Sequence, residues 1–169
     1  MKRVTLAIIV FTFVALAAAL PAAAQPGAPP CGIAGTWIGQ VGDTPLMATY
    51  ANVVGVVAGT SNLDLYGDPT LGSPYFSAAT RNTSGRGVWT RVDRRTYDYM
   101  FVAVGLAADN SVLYQLKVWG TKTLGPHCGT MEVTATLDIF APGQNPLGDE
   151  PPAYGSIPGL SGTAKRMPF

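Results

Sequence analysis

The sequence predicts an all-β domain, an eight-stranded antiparallel up-and-down barrel, and three observations carry that expectation. Runs rich in Val, Tyr, Thr, Phe and Ile alternate with short Asp, Asn, Gly and Pro turns, and no helix of useful length is expected. Residues 130–140 alternate without a break. Met131, Val133, Ala135, Leu137 and Ile139 share one side and Thr130, Glu132, Thr134, Thr136 and Asp138 the other, as in a strand with one buried and one wet face. The flanking turns then fix a common register. Asp109-Asn110 as a two-residue hairpin loop sets Phe101 opposite Val118 and Ala103 opposite Leu116. Residues 125–128 as a four-residue loop set Val118 opposite Ala135 and Leu116 opposite Leu137. Tyr97, Tyr99, Phe101, Ala103, Tyr114, Leu116, Val118, Val133, Ala135 and Leu137 then point one way, and a slip of one residue would send half of them into water.

Taken in order, residues 1–24 read as an export signal. Lys2 and Arg3 precede an apolar run from Leu6 to Leu20, then Pro21 and an Ala22-Ala23-Ala24 cleavage site. The run is short for a membrane span, and no later stretch is long enough to be one. Pro30 stands before Cys31 where a lipoprotein signal needs a small residue, so no lipid anchor is expected there. Residues 25–30 are a flexible Pro/Ala-rich lead, and residues 31–169 form the barrel domain. Strands are expected at 35–41, 46–51 and 53–58, the last two joined tightly near Asn52. A long loop spans roughly residues 60–85, and loops of that length are usually functional or disordered. A fourth strand at 87–92 turns through Asp93-Arg94-Arg95 into the meander of 96–140, which supplies strands five to seven. A second Pro/Gly loop, 141–158, leads to an eighth strand at 160–167.

Eight such strands either close as a barrel or stack as a sandwich. Closure leaves no edge strand, and it encloses room for side chains or one small ligand. In up-and-down order Cys31 and the turn bearing Cys128 fall at one end, so the two cysteines of an exported chain pair as a disulfide. Both long loops fall at the other end and make a mouth bearing Tyr66, Tyr75 and Phe76.

Gly35-Thr36-Trp37 on the first strand resembles the Gly-x-Trp signature of the lipocalins and the wider calycin superfamily. Residues 87–91 followed by 97–101 are similar to small bacterial secreted proteins of lipocalin-like type. The resemblance implies a barrel whose closed base is made by Trp37 with a late arginine, here Arg166, packed over it. The helix that normally follows the lipocalin barrel is not expected, because the segment from Pro142 to Pro158 cannot form one.

The chemistry available is sparse. Eleven basic residues face ten acidic ones, and losing Lys2 and Arg3 leaves nine, with no basic patch for nucleic acid. His127 is the only histidine and sits in a base turn. No His/Cys/carboxylate cluster has metal-ligand spacing, and serine lacks a base to activate it, so no catalytic residue, metal or cofactor is expected. Lys122 has inward parity but lies near the base end of its strand, so its tip is expected in solvent. Trp89 faces in or out according to the length of the turn around Arg94.

The candidate ligand site comprises Tyr97, Tyr99, Phe101, Tyr114, Leu116, Val118 and Leu137 inside the barrel, with Tyr66, Tyr75 and Phe76 at the mouth. The expected function is binding of a small hydrophobic molecule by an exported barrel. Two alternatives stand beside it. One is a barrel enzyme of the allene oxide cyclase or dirigent type, an isomerase or cyclase. The other is a non-catalytic surface or inhibitory protein with a packed core.

Overall fold

The computed structural model describes residues 31–52, 58–65 and 76–168. The expected signal and lead (1–30), Tyr66 and Tyr75 lie outside the described residues. Nine strands are described: β1 (Gly35–Val41), β2 (Thr44–Asn52), β3 (Ala58–Leu65), β4 (Arg81–Asn82), β5 (Gly85–Arg91), β6 (Thr96–Leu106), β7 (Val112–Leu124), β8 (Thr130–Phe140) and β9 (Ser156–Arg166). All but β4 pair antiparallel with their neighbours in chain order, and β9 returns to β1, so eight strands close a barrel. The two-residue β4 extends the line of β5 along β6, and the Thr83 hydroxyl bridges the gap by accepting from the Val104 amide at 3.0 Å. Every long strand therefore has two partners and no open edge.

The third strand is not where residues 53–58 were expected to form it. Residues 53–57 lie outside the described residues, and β3 occupies residues 58–65, the start of what reads as a long loop. Its inward positions explain the miss: Gly59, Ser61 and Leu63 are buried while Thr60 and Asn62 are exposed, so the alternation is real but small and polar. Gly59 pairs with Trp89, and a Cβ there would sit 2.6 Å from the indole ring. The barrel needs a hole at that position because its partner is large. Trp89 accordingly faces inward and donates from its indole nitrogen to the Ala51 carbonyl at 3.2 Å.

The meander keeps the expected β6–β7 register, Phe101 opposite Val118 and Ala103 opposite Leu116, although its turn differs. Ala107 bonds to Ser111, which makes a loop of residues 108–110 with Asn110 at φ 68°. That one extra residue is undone by a bulge in which Leu106 pairs with Val112 and Gly105 with Tyr114. The β7–β8 register shifts by two: Val118 faces Leu137 and Leu116 faces Ile139, because the connection runs from Gly125 to Thr130 rather than 125–128. A shift of two keeps every side chain on its own face, so the interior set is unchanged.

The base is stapled and filled. Cys31 and Cys128 are joined across a sequence separation of 97 with Cα atoms 5.3 Å apart. Trp37 and Arg166 are cross-strand partners of β1 and β9, with the guanidinium carbon 4.6 Å from the ring centroid. The Trp37 indole donates to the Ile33 carbonyl at 2.8 Å, and Arg166 donates to the carbonyls of Ala34 (3.1 Å) and Gly32. These bonds tie the segment leading into β1 under the barrel floor. At the other end the 141–155 connection folds around Gln144, whose Oε1 accepts from Ala141 and Ala153 and whose carbonyl accepts from Gln115.

Candidate functional site

The interior is two apolar clusters rather than one. The base cluster stacks Trp37, Tyr50, Trp89, Tyr97 and Phe101 with Leu124 and Met131. The mouth cluster gathers Phe76, Ala103, Tyr114, Leu116, Leu137 and Ile139. Phe76 acts as a plug on the β6–β7–β8 side: its ring lies 4.4 Å from that of Tyr114 and 5.8 Å from that of Tyr154. Gly105, opposite Tyr114, has no room for a Cβ, since one would fall 2.1 Å from the ring.

Between the clusters, toward β1, β2 and β3, side chains fail to meet and leave a cavity of about 70 Å³. Val41, Leu46, Leu63, Val133 and Leu160 are among its walls, with Tyr99, Val118 and Leu137 from the expected site set. Among the described residues, its polar side chains are those of Thr44, Tyr99 and Lys122. Of the other expected residues, Phe101 lies under the Lys122 amine, Tyr97 belongs to the base cluster, and Tyr114, Leu116 and Phe76 pack with one another. The tyrosine hydroxyls serve the wall: that of Tyr99 donates to the Thr134 carbonyl at 3.1 Å and that of Tyr114 to Asn82 at 2.8 Å.

Lys122 corrects the expectation of an exposed tip. The residue is 2% exposed. Its stem runs inward from β7, and Nζ donates to the Tyr50 hydroxyl on β2, across the lumen. It lies 3.7 Å from the centroid of Tyr99, 4.6 Å from Tyr50 and 5.0 Å from Phe101. Parity alone marked the direction correctly; the length of the stem carries the amine away from the base rim into the lumen. Two effects oppose each other on its charge. Three aromatic faces favour the ammonium by about 2 kcal/mol when desolvated. Full burial disfavours it by several kcal/mol. Burial wins, and it holds the amine well below its ordinary range, with no carboxylate of the described residues acting on it. The same burial raises the Tyr99 phenol.

The site is thus a small, almost wholly apolar hollow with one amine and two hydroxyl-bearing side chains in its wall. Among the described residues, no group of three or more His, Cys, Asp or Glu stands close enough to hold a metal ion. The closed antiparallel eight-stranded barrel, shut at the Trp37–Arg166 end, is consistent with a calycin-like fold. Compared with protein-family models and with curated proteins, the sequence matches none.

Proposed function

We propose that this protein is an exported, lipocalin-like binding module that holds a small apolar molecule inside its barrel, against Lys122. The observation that carries the reading is the unfilled apolar space between two otherwise well-packed clusters. Protein interiors pack to crystal-like density, so an apolar hollow left unfilled and partly open is a cost that a packed structural core would remove. The alternative of a packed surface or inhibitory protein is the weaker one for that reason. Size bounds the ligand. About 70 Å³ is roughly half of the 150 Å³ that admits benzene and far below drug-sized pockets. The resting barrel accepts a molecule of a few heavy atoms, and a larger one requires the mouth cluster around Phe76 and Leu137 to repack.

The test is a titration of the protein, its signal removed, with butan-1-ol while the methyl resonances of Leu63, Val133 and Leu137 are followed. Saturable shifts confined to these residues support interior binding. Shifts on the outer face instead, or none up to the solubility limit, refute it.

A further inference from the structure

Lys122 has no structural duty that a methionine could not perform. Among the described residues it closes no ion pair, and its hydrogen bond there satisfies a tyrosine that could otherwise be phenylalanine. Burying an amine without a counter-ion is costly, so its presence beside a cavity calls for a chemical use. We propose that Lys122 is a nucleophilic amine that captures short-chain apolar aldehydes as a reversible imine, an inference that rests on the interior-binding reading above.

Two possible ligand chemistries could engage this amine, and the cavity discriminates between them. A carboxylate brings two oxygens with about four acceptor sites. Among the described residues the wall offers it Lys122 and Thr44 alone, because the Tyr99 hydroxyl is committed to Thr134. The rest of the anion would be buried unsatisfied. An aldehyde has no such problem. The Nζ lone pair attacks the carbonyl carbon and forms the C–N bond. The carbonyl oxygen then leaves with the two amine protons as water, and a C=N bond remains. Amine plus aldehyde becomes imine plus water, with nothing oxidised or reduced. The polar oxygen departs, and an apolar chain is left in an apolar hollow. The titratable groups facing Nζ are the phenols of Tyr50 on β2 and Tyr99 on β6, with Tyr97 as its β6 cross-strand neighbour. Tyr50, in hydrogen-bond contact with the amine, is placed to carry protons between nitrogen and leaving oxygen. Burial favours the form of the amine that the reaction needs, the neutral one.

The experiment treats the folded protein with butanal and cyanoborohydride at neutral pH and maps butylated lysines by peptide mass spectrometry. One butyl group on Lys122, gained at least about tenfold faster than on Lys117 or Lys165, is expected, since each unit by which burial lowers an amine raises its neutral fraction about tenfold. Lys122→Met abolishes the fast adduct, and Ala135→Leu, which fills the hollow but keeps the amine, slows it. Equal labelling of the three lysines, or labelling of Lys122 only in denaturant, overturns the proposal. If butan-1-ol shifts the interior methyls while butanal leaves Lys122 unlabelled, capture is wrong and interior binding stands. If neither reagent reaches the interior, both fall.

Discussion

At the base of the barrel Trp37, Tyr97, Leu124 and Met131 are at most 2% exposed, whereas toward the mouth Val41, Leu65, Val118 and Leu160 remain half-buried around open space. The base combines a disulfide, a Trp–Arg stack and three hydrogen bonds to the backbone of residues 32–34. Among the described residues, the mouth is plugged on the β6–β7–β8 side by Phe76, packed against Tyr114 and Tyr154. The contrast teaches that cohesion and vacancy are kept at opposite poles. A barrel held at one end tolerates a gap at the other, and sites that admit ligands are drawn from the less cohesive parts of a fold.

The contrast is broken most directly at the staple. Replacing Cys31 and Cys128 by serine should cost about 4–5 kcal/mol in the chain-entropy account of so long a loop, read by urea unfolding; a loss below about 1 kcal/mol would mean the base does not depend on it. Trp37→Ala should cost about 3–5 kcal/mol, as for other large core truncations, and should leave the butan-1-ol shifts at Val133 and Leu137 in place. A variant that unfolded no more easily than wild type would remove the floor as a source of stability. At the other pole, Phe76→Ala should cost less, about 2–4 kcal/mol, and should admit longer alcohols in the same methyl titration. Unchanged chain-length preference would show that Phe76 is not the plug.

Lys122→Met sharpens the comparison in the opposite direction. It should stabilise the protein by about 1–3 kcal/mol at neutral pH, because a buried polar group gives way to an apolar one. The amine is lowered in the folded state, so between its folded value and its ordinary value near 10.4 the unfolded chain binds more protons. Stability therefore rises with pH across that window, by at most about 1.4 kcal/mol per unit from this group, and the variant should lose that slope. Above about pH 10 the raised Tyr99 phenol acts the other way, and stability falls as pH climbs. Persistence of the same slope in Lys122→Met would assign it elsewhere. The smallest effect belongs on the outer wall. Trp119 is 43% exposed and donates to Asp138 at 2.7 Å, so Trp119→Phe should cost less than about 1 kcal/mol, measured in the same unfolding assay.

What the sequence determined by itself was which side of each well-patterned strand faces in. Alternation has a period of two, so Tyr99, Phe101, Leu116 and Leu137 could be sorted inward from their neighbours alone, and loop lengths of either parity-preserving kind left that sorting intact. The pairing of Cys31 with Cys128 followed from strand parity and is present in the fold. β3 was illegible because its inward residues, Gly59 and Ser61, are small to accommodate partners on other strands, Trp89 above all; local hydrophobicity cannot announce a hole. The three-residue turn and its offsetting bulge were equally silent, since their effects cancel in the register. The tertiary structure alone decided the depth of the Lys122 amine and the existence of the cavity. Both depend on how side chains from opposite walls reach each other across a closed lumen, as Lys122 reaches Tyr50, or fail to and leave a hollow. That is a property of distances between strands far apart in the chain, and no local pattern encodes it.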